Sequence, residues 1–232
     1  MALTLLGAGA AKGLVAALAP EYLAATGATI DAQFDAVGAI REKLAGGAPC
    51  DAIILTAASL ASLEREGAIA AGSIAPIGAV ETGVASRAGE PMPDVHDRDT
   101  LRQRLLAAPA VFVPDLTRST AGIHFAGLLD RLAVAAEVGP RVHAFPNGAL
   151  AMRALADCAI SGALGCTQVT EILYTEGVTL AGALPAGCGL ATDNAVAIAT
   201  RARAPELARD FVGLLTGRSS REARRRAGFA PA

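Results

Sequence analysis

AVFVPDLTRSTAGIHFAGLLDRL, residues 110–132, is the stretch whose reading decides the fold. An apolar run from Ala110 to Val113 is followed by a polar loop carrying Arg118, Ser119 and Thr120. Ile123, Leu128, Leu129 and Leu132 then recur at helical spacing, so the stretch reads as strand, loop and helix start. The first turn of a helix has unpaired N–H groups and a partial positive charge, and an anion settles there readily. Arg118, Ser119 and Thr120 would add donors, and His124 lies one turn in. The competing reading is a helix cap at Ser119 or Thr120 beside a solvated Arg118. Recurrence of the arrangement along the chain favours the functional reading.

Toward the N-terminus, Leu3–Leu6 reads as a buried strand, and Gly7–Gly13 leads into an apolar-periodic helix that stops at Gly27. The spacing around Lys12-Gly13 is neither a P-loop nor a complete dinucleotide fingerprint, so a nucleotide loop is rejected. What remains is a helix start behind Gly9, Ala10 and Ala11. A strand over Thr29–Phe34 turns at Asp35-Ala36-Val37-Gly38 into a helix over Ala39–Ala45, closed by Gly46-Gly47. Ala52–Leu55 forms a third strand, and Thr56-Ala57 opens a third helix. Three strand-helix alternations with short loops predict parallel strands, and in such sheets ligands lie at the carboxyl ends of the strands.

Beyond Gly72 the rhythm changes. Ile77–Ala85 is a longer extended run and Gly89–Pro93 a surface loop, which places a crossing into a second lobe near Gly83. Asp97–Ala107 has helical character, Arg141–Phe145 reads as a strand, and Asn147 caps a helix. Ala159–Leu164 reads as a strand with Gly165–Gln168 at its exit, and Thr170 as the cap of a short helix. Leu180–Leu184 and Val196–Thr200 read as further strands, with an Asx turn at Asp193-Asn194. Two terminal helices follow Pro205 and Arg218. The expected architecture is α/β: two lobes, each a mostly parallel sheet flanked by helices, with two crossings. Lobe I takes residues 1–82 and 195–232, and lobe II residues 83–194.

Composition narrows the function classes. The 232 residues are 53% hydrophobic with only 3% aromatic, which suits close helix-to-sheet packing and excludes a disordered chain. A net charge of −2 gives no footprint for nucleic acid, and the five arginines between Arg218 and Arg226 read as a solvated helix face. Cys50, Cys158, Cys166 and Cys188 have no metal-site spacing and read as buried residues or free thiols, so neither metal nor organic cofactor is expected. The N-terminus has no basic segment before its short apolar run, and no stretch is long enough for a membrane span. The expectation is a cytoplasmic protein, or a periplasmic one if a leader has been lost. An ABC permease would be a partner only for an exported chain.

The segment Phe34–Asp51, FDAVGAIREKLAGGAPCD, resembles the strand, turn, helix and G-A-P-A-D pattern of the molybdate-binding proteins of ABC transporters, in the periplasmic-binding-protein superfamily. The opening strand with its Gly/Ala loop, Ile54-Leu55-Thr56-Ala57 in place of an I-S-A segment, and the order of the second lobe extend the resemblance over nearly the whole chain. It implies a Venus-flytrap fold of the type II class that takes an anion in the cleft between its lobes. The departures bear on the ligand. Where the molybdate binders place serines, this chain has Ala10 and Val37, and Gln168 stands near the family's tyrosine. Two lost donors to a charged group, about 1.5 to 3 kcal/mol each, would weaken oxyanion binding by orders of magnitude. Backbone N–H groups survive such substitutions.

Ser119–Phe125 and the run Thr167–Ile172 are similar to the aconitate isomerase branch of the same superfamily. That resemblance implies a small di- or tricarboxylate ligand and an allylic proton shift, which needs a base and donors for the developing enolate charge. His124 is the natural base, Lys12 a charge anchor or second acid, and Arg118, Thr56 and Gln168 side-chain donors. Backbone donors would come from Gly9, Ala10, Ala11, Val37, Gly38, Ala57, Ser119 and Thr120. Each has a plainer alternative: His124 paired with a core carbonyl, Lys12 snorkelling to solvent, Gln168 serving a loop carbonyl. Asp115 is the rival base, although a carboxylate would repel an anionic substrate. The other class of function is a solute-binding protein that holds an oxyanion or organic acid without turnover.

Overall fold

The computed structural model describes residues 1–230. The described residues divide into two compact units, the first made of residues 1–80 and 192–230 and the second of residues 81–191.

In the first unit, β1 (Ala2–Ala8), α1 (Lys12–Thr26), β2 (Thr29–Asp35), α2 (Val37–Ala45), β3 (Ala52–Thr56) and α3 (Ala57–Arg65) follow one another as expected. Strand β1 lies between β2 and β3, parallel to both, and β9 (Ala191–Ile198) runs antiparallel to β3. Alternation along β1 sorts its side chains by face. Leu3 and Leu5 pack with Leu14, Leu18 and Tyr22 of α1 and Phe211 of α9 (Pro205–Thr216), whereas Leu6 packs with Ile40 of α2 and Leu60 of α3. Helix α1 stops at Gly27, whose left-handed φ of 68° closes the last turn.

The second unit holds α4 (Arg98–Ala107), β5 (Val111–Pro114), α5 (Thr120–Arg131), α6 (Ala135–Val138), β6 (Val142–Phe145), α7 (Gly148–Asp157), β7 (Leu164–Gln168), α8 (Val169–Tyr174) and β8 (Val178–Ala183). Strand β4 (Ala75–Arg87) carries the chain into it. The sheet is mixed: β5 is parallel to β6 and β7, while β4 is antiparallel to β7 and β8. Val111 and Val113 face Leu101, Leu105, Phe125 and Leu128 of α4 and α5, and Phe112 faces Met152 and Leu155 of α7.

Three local expectations are corrected. The strand read at Ala159–Leu164 begins only at Leu164, and Gly165–Gln168 are the strand itself, not its exit. Residues 159–163 form the turn into it, with Gly162 at a φ of 77°. Thr170 does not cap α8, because the N-cap position is Gln168; the Thr170 hydroxyl is buried and makes no hydrogen bond among the described residues. Asp193 and Asn194 lie within β9 instead of a turn, and the Asn194 amide donates to the Thr192 carbonyl at 2.9 Å. The terminal arginines form α10 (Arg221–Arg226). There Arg225 and Arg226 pair with Glu222, and Arg224 donates to the Leu215 and Gly217 carbonyls.

Candidate functional site

In the first unit the candidate residues gather along one edge of the sheet. The register sets Ala8 beside Asp35, and Gly7 beside Phe34 on one side and Ile54 on the other, so β1, β2 and β3 deliver their helix starts to the same edge. A Cβ on Gly7 would meet the Phe34 ring at 2.6 Å; glycine lets that ring lie across the strand. Gly9, Ala10 and Ala11 form a single 3-10 turn, and Lys12 is the half-buried first residue of α1. Val37 and Gly38 are the first two residues of α2. Neither Ala11 nor Ala36, the residues at the N-cap positions of α1 and α2, has a side chain that accepts a hydrogen bond. The third start is different. Thr56 accepts from the Ser59 N–H at 3.2 Å and donates to the Ser59 hydroxyl at 2.9 Å, so its side chain is spent on capping α3, with Ala57 the first helical residue.

The second unit presents its own edge. β5 and β6 are paired in register to Pro114 and Phe145, and β5 and β7 at Phe112 and Gly165, so the exits toward α5, α7 and α8 lie together. The loop after β5 is organised by Asp115, whose carboxylate accepts from the Thr117 N–H at 2.7 Å, the Thr117 hydroxyl at 2.8 Å and the Arg118 N–H at 2.9 Å. The Thr117 backbone bond, followed by the Thr117 hydroxyl and Arg118, holds this acid below the usual aspartate range. A carboxylate so stabilised is a weaker proton acceptor. Ser119 takes the N-cap position of α5 without a side-chain cap bond, and Thr120 is the first helical residue.

His124 is half-buried on α5, and its Nε2 stands 2.7 Å from the Cys188 carbonyl oxygen. A carbonyl can only accept, so Nε2 carries the proton and Nδ1 of the neutral ring is the nitrogen able to take another. The carbonyl pairing weighed against catalysis is therefore present, and it leaves the ring one basic nitrogen. Gln168, 7% exposed, ends β7.

The structure also brings in a residue that the sequence reading left without a role. Glu171, on α8, is buried, and its carboxylate accepts from the Thr167 hydroxyl at 2.5 Å and from the N–H groups of Gly148, Ala149 and Gln168. Asn147 completes the start of α7 by accepting from the Leu150 N–H at 3.0 Å. The available signal was Glu171 lying directly before the buried Ile172 in an apolar run, where a charge requires a partner. Of the helices that follow the strand ends described here, α1, α2 and α5 thus begin without a side-chain cap, whereas α3 and α7 are capped. No cluster of metal-ligating side chains occurs among the described residues, nor is any of their helices long and apolar enough to cross a membrane.

The model of a bacterial extracellular solute-binding protein family matches residues 3–230. An aconitate isomerase from a Pseudomonas species is 27% identical over 240 residues, covering 99% of this chain and 87% of its own. The periplasmic molybdate-binding protein of Azotobacter vinelandii superposes with a TM-score of 0.84 at 17% identity over 99% of both chains. The sulfate-binding protein of Mycobacterium tuberculosis gives a TM-score of 0.77 at 18% identity, over 100% of this chain and 87% of its own.

Proposed function

The chain belongs to the bacterial extracellular solute-binding protein family, and from that premise we propose that it binds a small di- or tricarboxylate and isomerises it by an allylic proton shift. The observation that carries the anion part is the pairing of β1 with β2, which sets the uncapped starts of α1 and α2 side by side. The N–H groups of the 3-10 turn Gly9–Ala11 that leads into α1, and those of the first turn of α2, make no side-chain cap bond and suit a carboxylate. Alanine at position 10 and valine at position 37 leave these as backbone-only donors. A tetrahedral oxyanion, with charge concentrated on few atoms, loses more by this than a polycarboxylate whose charge is spread over separate groups.

The similarity to an aconitate isomerase supports turnover. In this reading His124 Nδ1 removes a proton from the substrate's methylene carbon, the double bond moves by one position, and a proton returns to the carbon at the other end of the allyl unit. Atoms and charge balance without an oxidant or reductant. Arg118, Gln168 and the start of α5, all of the same unit as His124, steady the enolate charge. Proton NMR of trans-aconitate in deuterated buffer tests it. Conversion or solvent exchange is expected, and His124→Ala should slow it by about 10²- to 10⁴-fold with little change in binding. Binding without exchange would reject the enzyme.

The second reading, a binding protein without turnover, is favoured by the fold shared with the molybdate- and sulfate-binding proteins. Thermal shift against molybdate, sulfate, citrate and both aconitates separates the ligands. A ligand at a hundredfold its Kd adds about 2.7 kcal/mol.

A further inference from the structure

Glu171 is 6% exposed, and the donors to its carboxylate are all neutral: the Thr167 hydroxyl and the N–H groups of Gly148, Ala149 and Gln168. Gly148 and Ala149 are the first two residues of α7, so the carboxylate lies on the positive end of that helix. The fit is close enough to dictate residue 148, because a Cβ there would overlap both the Glu171 carboxylate and the Thr167 hydroxyl. Two features of the second unit then conflict. The exit of β6 toward α7 lies beside the exit of β5 toward the uncapped start of α5, yet the α7 end already holds the Glu171 carboxyl group.

We propose that Glu171 is a positioning residue that holds the start of α7 as an internal anion and takes up a proton when an external anion settles beside it, coupling ligand binding to proton uptake. The inference rests on the anion-binding reading above. A helix end carries roughly half a unit charge, which one carboxylate already exceeds. A second anion nearby raises the cost of keeping Glu171 ionised, and a like charge favours the protonated acid. The protonated carboxyl keeps its place, since its carbonyl oxygen still accepts from the amides and the Thr167 hydroxyl can turn to accept the new proton. The uptake window lies above the ordinary glutamate range, because burial already disfavours the charged form more than the hydrogen bonds restore it.

The elements packed against α8 are α7, β7 and β8. Their other titratable or charged groups are Arg153 and Asp157, both exposed on α7, and Cys166 of β7, which belongs to the core on the opposite face of the sheet. Tyr174 is exposed at the end of α8 itself, and β8 has no such group. Glu171 is thus the carboxylate among them placed to answer an anion at this edge.

The test is titration calorimetry of the full chain with trans-aconitate between about pH 5 and 8, in pairs of buffers with different ionisation enthalpies, which counts protons taken up. The wild type should take up more protons than Glu171→Gln, whose neutral amide removes the internal anion and whose counts report the ligand's own protons. Affinity of the wild type should rise by up to about tenfold per pH unit as pH falls through the window, relative to the variant. Thr167→Val withdraws one donor from the ionised form and should move the window to higher pH, which keeps the proposal exposed if Glu171→Gln does not fold. Equal uptake in wild type and Glu171→Gln, or an unmoved window in Thr167→Val, would overturn the coupling and leave anion binding standing. Absence of binding by trans-aconitate and by molybdate alike would sink the anion-binding reading, and the coupling with it.

Discussion

Asp51 shows what a single side chain does in this fold. It is 2% exposed and accepts four hydrogen bonds: from the Thr4 N–H at 2.9 Å, the Thr4 hydroxyl at 2.6 Å, the Arg203 N–H at 2.6 Å and the Ala204 N–H at 2.9 Å. It therefore ties β1 to the segment that enters α9. Asp51→Ala leaves those donors without an acceptor and should cost about 2–4 kcal/mol in urea denaturation, far more than an exposed aspartate would. The cysteines give a second prediction at this scale. Burial pushes the Cys50 and Cys166 thiols up to about 12, and Cys188 is buried as well. Cys158 alone of the four is half-exposed. Thiol reagents applied to the native protein should modify Cys158 first and the other three only on unfolding, since the thiolate is the reactive form.

At the scale of elements, glycines separate helix positions that tolerate a side chain from those that do not. A Cβ on Gly122, in the first turn of α5, would run into the backbone of Pro114 and Asp115, so the helix is threaded against the loop that precedes it. Gly213 of α9 has open space instead. Gly213→Ala should stabilise by about 0.5–1 kcal/mol through helix propensity. Gly122→Ala should destabilise by about 1–3 kcal/mol through overpacking, with opposite signs expected in thermal melts. Alternation of strands and helices was legible because apolar periodicity reports it directly, although α1 begins at Lys12, inside the loop read over Gly7–Gly13, and α2 at Val37, two residues before the start read at Ala39. The register of β7 was not, because Ala159–Leu164 is as apolar as Leu164–Gln168, and the choice is made by pairing with Val111 and Phe112, far away in the chain. Glu171 escaped for the same reason. Its partners, Gly148 and Ala149, sit 22 or more positions earlier, and nothing local to residue 171 announces a helix end waiting for a carboxylate.

For the molecule as a whole, the buried carboxylates set stability against pH from two opposite sides. Burial raises the proton affinity of Asp51, but the bonds from Thr4, Ala204 and Arg203 outweigh it, so its pKa lies below the ordinary aspartate value. A depressed acid contributes stability that is present above its unfolded pKa and lost as pH falls through its folded one. The half-buried Asp115 and the exposed Glu222, the latter lowered to about 2 by Arg225 and Arg226, act in the same direction but are screened by solvent. Glu171 has the opposite sign: burial dominates and its pKa is raised. The fold prefers its neutral form, so stability is highest below the ordinary glutamate value and declines as pH rises through the folded pKa. Thermal unfolding followed from about pH 2 to 9 should therefore give a maximum on the mildly acidic side, falling steeply toward acid and gently toward base. Glu171→Gln should flatten the basic limb without moving the acid one, and Asp51→Asn should weaken the acid limb alone. A melting temperature that climbed steadily from pH 5 to 8 would contradict the sign assigned to Glu171.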